Sequence, residues 1–295
     1  MMRILVAIVH HWNPEGSGRH QSLRPDPQPR IQALREQILA FSRLGRHQLH
    51  LDLADQAAYA ANLDHRHQID LHLVTDGRHH VLDQLDAPYR ERLTHVPMAT
   101  NDPFRLGFEA QRHLAAQLDA GYDLLAYFED DLIIHDPLFF HKIHRFVDVA
   151  GLDCLALPQR FELLPIPSRI DKLYIDGVMP ADYLQLHLPD PAPPLHLKDC
   201  LWGDVTFESP RNPHAGCFVL RPDQLRHWSK QSWWLDGDCS FISPLESAAT
   251  LGLLKTFRLY KPSFASAMFL EAQHWGTNFL TLMARATPHQ PAAHG

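Results

Sequence analysis

Residues Tyr122 to Pro137 read YDLLAYFEDDLIIHDP, and the reading of this stretch decides the fold. An apolar and aromatic run, Leu124 to Phe128, ends on three consecutive carboxylates, Glu129, Asp130 and Asp131, and Leu132-Ile133-Ile134 follows at once. A continuously apolar run of this length reads as a strand covered on both faces, as in parallel sheets. Three carboxylates at its end are costly unless a cation meets them. A divalent ion is the economical candidate, because hard cations such as Mg2+ and Mn2+ take carboxylate oxygens and commonly share them with substrate phosphates. Side chains alternate along an extended chain, so Glu129 and Asp131 share a face and become the expected metal ligands. Asp130 then points elsewhere, towards a ribose hydroxyl or a basic side chain. The plainer reading is a solvated loop that caps the next helix, and Asp136 before Pro137 fits such a cap better than a ligand.

Outward from the triplet, strands alternate with helices. Arg3 to Val9 (RILVAIV) is another doubly covered strand, followed by a loop from Trp12 to Pro29 rich in Pro, Gly and Ser. Ile31, Leu34, Ile38 and Phe41 recur at helical spacing, with Gly45 as the stop. Further strands are expected near Gln48 to Leu53 and at Ile69 to Thr75, and helices over Pro103 to Leu118 and Pro137 to Val149. This alternation predicts a mostly parallel sheet flanked by helices, with ligands bound beyond the carboxyl ends of the strands, where the triplet sits. The rhythm breaks after Leu157. Ten of the 23 prolines fall between Pro158 and Pro213, which excludes regular alternation and predicts an irregular, ordered, substrate-binding insertion. Ala215 to Leu220 reads as a strand, Arg221-Pro222-Asp223 opens a short helix, Pro244 to Leu254 is a helix and Thr256 to Tyr260 a late strand. One unit over residues 1–286 is expected, in halves 1–157 and 158–286, with 287–295 a flexible tail.

Composition limits the function classes. With 34 acidic and 27 basic residues the net charge is −7, which argues against a basic surface for nucleic acid. A small anion remains acceptable if a bound cation neutralises its phosphates locally. Cys154, Cys200, Cys217 and Cys239 contain no CxxC pair, so they are expected to be reduced and mostly buried. The 22 histidines are scattered, which places most on the surface. The six-residue apolar run at Ile4 to Val9 lacks a small-residue cleavage site, and no apolar stretch nears the ~20 residues of a bilayer span. A cytoplasmic protein, with room for peripheral membrane association, is the expectation.

The run YFEDDLIIHDPLFF resembles the DxD-type region of GT-A glycosyltransferases, in an EDD form. RILVAIVHHWNPEGSG is similar to the nucleotide-binding start of such enzymes, and NPHAGCFVL (Asn212 to Leu220) to their Gly-containing strand along the donor sugar and acceptor. SPLESAATLGLLKTFRLYKPSF resembles the acidic helix and strand beside the acceptor, and EAQHWG (Glu271 to Gly276) the late histidine of the metal shell. The resemblance implies a GT-A-like, Rossmann-related sheet and Mn2+ or Mg2+ clamping the diphosphate of a nucleotide-sugar donor. It implies metal ligands Glu129, Asp131 and His274, and nucleotide-sugar contacts at Val9, His10, Asp76, Asp130 and Gly216. The acceptor stays open among carbohydrate, lipid and protein.

Each role has a plainer counterpart. A lone late histidine such as His274 is often a surface or satisfied core residue. An inverting transfer needs a base for the acceptor hydroxyl; Glu246 is best placed by resemblance, with Asp238 and Asp236 as competitors. Glu246 also reads as a first-turn glutamate favoured by the helix dipole, and Asp76 as a turn aspartate. Gly216 marks a close backbone approach to a ligand. Trp202, Trp228, Trp233 and Trp234 offer faces for sugar rings or fill the core. No basic pocket for a diphosphate is evident beyond Arg105, Arg160 and Lys261. The alternatives are a sugar nucleotidyltransferase, disfavoured because His10 to Gly18 has no lysine, a non-catalytic carbohydrate- or nucleotide-binding protein, and a histidine-rich hydrolase, for which no HExxH exists.

Overall fold

In a computed structural model, residues 1–16, 21–100, 102–164, 170–180, 182, 187 and 191–283 are described. The expected tail at 287–295 lies outside them, as do parts of the loop after Trp12 and of the proline-rich segment. In the first half, strands β1 (Arg3–Val9), β2 (Leu49–Asp52), β3 (Ala57–Ala60), β4 (Gln68–Thr75), β5 (Leu93–Pro97), β6 (Leu124–Glu129) and β7 (Leu132–Ile133) are interspersed with helices α1 (Gln28–Leu44), α2 (Ala87–Arg90), α3 (Leu106–Ala116) and α4 (Phe139–Ala150). The second half contributes β8 (Cys154–Ala156), β9 (Gln159–Glu162), β10 (Leu173–Tyr174), β11 (Leu195–Asp199), β12 (Gly203–Glu208), β13 (Cys217–Leu220), β14 (Arg258–Pro262) and β15 (Glu271–His274). Its helices are α5 (Pro222–Trp228), α6 (Pro244–Ala248), α7 (Leu251–Leu254) and α8 (Asn278–Met283).

The central sheet has the order β13-β6-β1-β4-β5. Four strands run parallel, and β13 is antiparallel along the β6 edge. The alternation of β1 explains why both faces are covered. Ile4, Val6 and Ile8 pack with Ile31, Leu34, Ile38 and Phe41 of α1 and with Phe139, Phe140 and Ile143 of α4. Leu5, Ala7 and Val9 face the other way, against Leu106, Ala110 and Leu114 of α3 and Leu225 and Trp228 of α5. Each fully buried aliphatic side chain here contributes roughly 1.5–3 kcal/mol of transfer free energy. The mixed α/β architecture with a mostly parallel sheet is therefore as expected.

Four local expectations are corrected. The strand at Gln48 to Leu53 exists, but β2 pairs only with β3, in a hairpin outside the central sheet where Leu49, Leu51 and Leu53 are exposed. The edge place beside β4 belongs to β5 instead. The helix expected over Pro244 to Leu254 is two short helices, α6 and α7. The proline-rich segment carries β9 to β12 in its described part, as members of two further sheets, β10-β9-β15-β7 and β11-β12-β14-β8. Pro158 directly precedes β9 and Pro194 directly precedes β11, where no ladder hydrogen bond is lost. All four cysteines are free, but only Cys154 and Cys217 are buried. Among the described residues no helix is long and apolar enough to cross a membrane.

Candidate functional site: a buried acidic triplet at the strand ends

Register brings the chemistry together. Val9 lies beside Val74 on one side and Glu129 on the other, so β1, β4 and β6 end level and their exits converge. Beyond the triplet, β7 pairs antiparallel with β15, placing His274 opposite Leu132, and the Trp275 N–H donates to the Asp131 carbonyl at 2.8 Å. Gln37 of α1 donates to the carbonyls of Glu129 (2.7 Å) and Leu132 (2.9 Å), fixing the bend between β6 and β7.

Each carboxylate has its own surroundings. Asp130, in the turn after β6, is held from two sides. Arg30, nearly buried in the first turn of α1, donates from Nη1 to Asp130 Oδ1 at 2.6 Å and from Nη2 to Asp131 Oδ2 at 3.1 Å. His10 Nδ1 lies 2.5 Å from Asp130 Oδ2. The Val81 N–H donates to His10 Nε2 at 3.0 Å, so the proton of a neutral His10 is on Nδ1 and is given to Asp130. Burial pushes the Asp130 carboxyl up, and the Arg30 guanidinium and the His10 hydrogen bond overcome it, so the group sits below the usual carboxylate range.

Glu129 is the reverse. Burial, the neighbouring Asp131 and the nearby Glu246 raise its carboxyl well above the usual range, against the Arg160 guanidinium. Its Oε1 is buried without a hydrogen-bond partner, and so is Asp131 Oδ1. Two buried carboxylate oxygens of the triplet are thus without a hydrogen-bond partner, which calls for a physical reason. Gly216 makes room for this carboxylate. Its φ is +64°, and a Cβ there would lie 2.8 Å from Glu129 Oε2. The close approach at Gly216 is therefore to a protein carboxylate.

His274 lies between two carboxylates. Its Nδ1 lies 3.1 Å from Glu162 Oε1 and its Nε2 lies 3.8 Å from Asp131 Oδ2. A carboxylate that takes the proton of one ring nitrogen leaves the other as a lone-pair donor, the arrangement common behind metal-bound histidines. Glu162 is buried and also accepts from the N–H groups of Phe279 and Leu280 at the start of α8. The atoms of Glu129, Asp131 and His274 are not drawn into one tight cluster; among the described residues, only His11, Asp76 and His79 are.

Behind Glu129 lies a second buried charge network. Arg160 Nε and Lys261 Nζ donate to Asp176 at 2.9 and 2.6 Å, and Lys261 also donates to the His214 carbonyl at 2.6 Å. Desolvation brings the Lys261 ammonium down to about 8. The same desolvation holds His214 neutral, with Nε2 3.6 Å from Glu129 Oε1. A cavity of about 300 Å³ opens beside this network, lined by Asp176, Glu208, Arg211, Asn212, Lys261 and Phe264. A smaller one, of about 150 Å³, lies at the opposite end of the sheet around Gly45 and Arg92.

The remaining sequence candidates are distributed as follows. Val9 is buried in the β1 end, and His10 is fully buried with both ring nitrogens engaged, so each supports the site from inside. Asp76 accepts the Arg78 and His79 N–H groups on Oδ1 and faces His79 Nδ1 with Oδ2. Glu246 is half-buried in the first turn of α6, close enough to raise both Glu129 and the Tyr127 hydroxyl. Asp238 sits away in a loop, paired with Lys255 at 3.1 Å alongside Asp236 at 3.0 Å. Trp228 is core, Trp233 donates to Thr256, and Trp202 is half exposed near Phe269. Arg105 is exposed, whereas Arg160 and Lys261 are committed to Asp176. Sequence reasoning missed Arg30, Glu162, Asp176 and His214; β9 reads Gln-Arg-Phe-Glu, with one apolar residue in four, so nothing in the sequence announces its burial.

No family model matches the chain, and no curated protein matches it either. Among solved structures, it is similar to S. aureus TarS at 12% identity and a TM-score of 0.45, over 96% of this chain and 38% of that one. The structure of S. aureus TarS 1-349 in complex with UDP-GlcNAc gives 13% identity and 0.43, over 99% and 60%. A mannose-1-phosphate geranyltransferase from Thermus thermophilus gives 11% and 0.39, over 89% and 74%. The chain spans less than two thirds of the TarS structures it matches. Scores this low leave the site to be judged on its own geometry.

Proposed function

We propose that the protein is a metal-dependent glycosyltransferase that takes a sugar from a nucleotide-sugar donor. The observation that carries this reading is the pair of orphaned buried oxygens, Glu129 Oε1 and Asp131 Oδ1, at the end of a central parallel strand. His274 Nε2, set by Glu162, faces the same carboxylate. These three residues would hold Mn2+ or Mg2+, which, when bound, neutralises a leaving diphosphate as a Lewis acid. Arg30 and His10 fix Asp130 and Asp131 from behind. Asp76, at the neighbouring strand exit, stands on the side expected for the nucleotide.

Of the two base candidates, Glu246 suits acceptor deprotonation better, because it lies near Glu129. Asp238 is held below the usual carboxylate range by Ser240 and Lys255, which makes it a weaker base. The cavity beside Asp176 and Lys261 is the natural place for a polar acceptor, whether carbohydrate, lipid headgroup or protein side chain.

The test is to incubate the protein with nucleoside diphosphates and nucleotide-sugars, with and without Mn2+, following thermal stability and donor hydrolysis. Metal-dependent stabilisation and hydrolysis, both abolished in Asp131→Ala, are expected. Indifference to every nucleotide at millimolar metal sinks the reading. One observation favours a second, non-catalytic reading: Arg30 already supplies a fixed cation to Asp130 and Asp131. A protein of that kind binds a nucleotide-sugar without metal and leaves it intact.

A further inference from the structure

A second cluster of ligating side chains lies on the same sheet edge, beyond the ends of β1 and β4. His11 follows β1, and Asp76 and His79 lie in the turn that follows β4. One ligand atom from each falls within 4.8 Å of the other two, and no other three His, Cys, Asp or Glu residues among the described residues are so gathered. Asp76 Oδ2 is 2.7 Å from His79 Nδ1 and 3.9 Å from His11 Nε2. The carboxylate is set in advance, since the Arg78 and His79 N–H groups occupy Oδ1 at 2.9 and 2.7 Å and leave Oδ2 facing the two rings. The two loops are joined by the Trp12 N–H, which donates to the His79 carbonyl at 2.9 Å. A further observation is independent of these distances: His11 Nε2 is buried and has no hydrogen-bond partner. A buried nitrogen without a partner is unfavourable and calls for a physical reason.

We propose that His11, Asp76 and His79 form a binding site for a divalent transition ion of the zinc type, separate from the hard-cation pair Glu129 and Asp131. Two imidazoles with one carboxylate suit a borderline ion better than Mg2+ or Ca2+. Bonds of ~2.0–2.2 Å in a tetrahedron space the ligand atoms by roughly 3.3–3.6 Å, and the two observed separations lie on either side of that range. On entry the ion replaces the proton shared between His79 Nδ1 and Asp76 Oδ2. That proton leaves to solvent, and both atoms become ligands with His11 Nε2. The His79 side chain is 41% exposed, which gives the ion a path, whereas that of Asp76 is 6% exposed and stays fixed. Three protein ligands leave a fourth position for water or an exchangeable donor. The bound ion joins the exits of β1 and β4, next to the His10 that holds Asp130.

The inference does not depend on the glycosyltransferase reading, and the metal alone tests it. The full chain, stripped with a chelator, is titrated with Zn2+ by calorimetry and with Co2+ by visible absorption, which reports four-coordinate geometry. In saturating Mg2+, which occupies any hard-cation site at Glu129 and Asp131, one Zn2+ per chain is expected. Loss of an outer partner alone typically weakens metal affinity ~10–100-fold, so His79→Ala and His11→Ala should each weaken it by more than about 100-fold. Asp131→Ala should leave Zn2+ affinity unchanged, as should His141→Ala in the separate cluster of His65, His67 and His141 rings. Thermal melts of the metal-free variants check folding, and the exposed His79 keeps the test decisive if His11→Ala does not fold. No stoichiometric binding by the wild type overturns the proposal. Binding that survives His79→Ala, or that falls in Asp131→Ala or His141→Ala, also overturns it.

Discussion

The chain contains two acidic clusters of similar appearance, Glu129-Asp130-Asp131 and Asp236-Gly237-Asp238, and the protein treats them in opposite ways. Asp236 and Asp238 lie in an exposed loop, where a single lysine, Lys255, spans both carboxylates. Glu129, Asp130 and Asp131 lie at the end of a covered strand, where Arg30, His10, Arg160, His214 and His274 surround them. Water screens the first pair and makes its partners nearly dispensable. Low polarity around the second makes every partner count, and two of its oxygens have no hydrogen-bond partner. Position along the fold, more than composition, separates a decorative acidic cluster from a chemically demanding one.

Substitutions in the two clusters sharpen or break this contrast. The largest effect belongs to Arg30→Ala. Removing one partner of a buried ion pair strands the other, so stability should fall by about 3–5 kcal/mol in chemical denaturation. A fall below about 1 kcal/mol would put the triplet in the same class as the loop pair.

Next comes Gly216→Ala, which places a side chain at positive φ and against Glu129 Oε2. The backbone alone should account for about 1–2 kcal/mol. The mutant should also lose much of its thermal response to Mn2+, since the carboxylate must shift.

Glu129→Gln tests the electrostatics with a near-isostere. The folded-state pKa of Glu129 is raised, so the folded protein holds this proton more tightly than the unfolded chain does. That contribution is complete below the unfolded value of 4.5 and is lost as pH rises through the folded one. Metal-free Glu129→Gln should therefore be more stable than wild type at neutral pH, while gaining nothing from Mn2+. Asp130 has the opposite sign: its stabilisation holds above the ordinary aspartate range and disappears as acid protonates it. Melting temperatures across acid and neutral pH, for wild type and mutant, read both signs.

The smallest effect is expected for Lys255→Ala. Exposed pairs contribute about 0–1 kcal/mol, and activity should be unchanged. An activity loss with intact folding would move Asp238 into the working site and reopen the choice of base.

What the sequence reveals follows from how local the signal is. β1 and β6 are legible because burial on both faces writes an unbroken apolar run. The alternation that would pair Glu129 with Asp131 is not a sure guide, because the strand stops at Glu129 and Asp130 and Asp131 lie in the turn that follows. Arg30 is not, since it meets Asp130 from 100 residues away and looks like any first-turn arginine. The alternating leucines of β2 announce a strand correctly but cannot announce that its partner is β3. Prolines at 158–213 conceal β9 to β12, because Pro marks strand ends as readily as loops. Glu162 and Asp176 are hidden with them. The three residues of the His11 group are visible one by one, but only the level ends of β1 and β4 bring them together.

The Glu162 carboxylate has a consequence for the order in which the protein is made. It is the common anchor of His274 and of the first N–H groups of α8, residues that follow Asp131 by 143 positions and more. At synthesis rates of ~5–20 residues per second, Asp131 emerges roughly 7–30 s before His274. Throughout that interval Asp131, and Glu162 once it is made, lack these partners, and β15 is not yet present to join β7 to β9. The central sheet can assemble around β1 while its working edge waits for the last strand. The closed form of this edge is then a property that a nascent chain acquires late, and all at once.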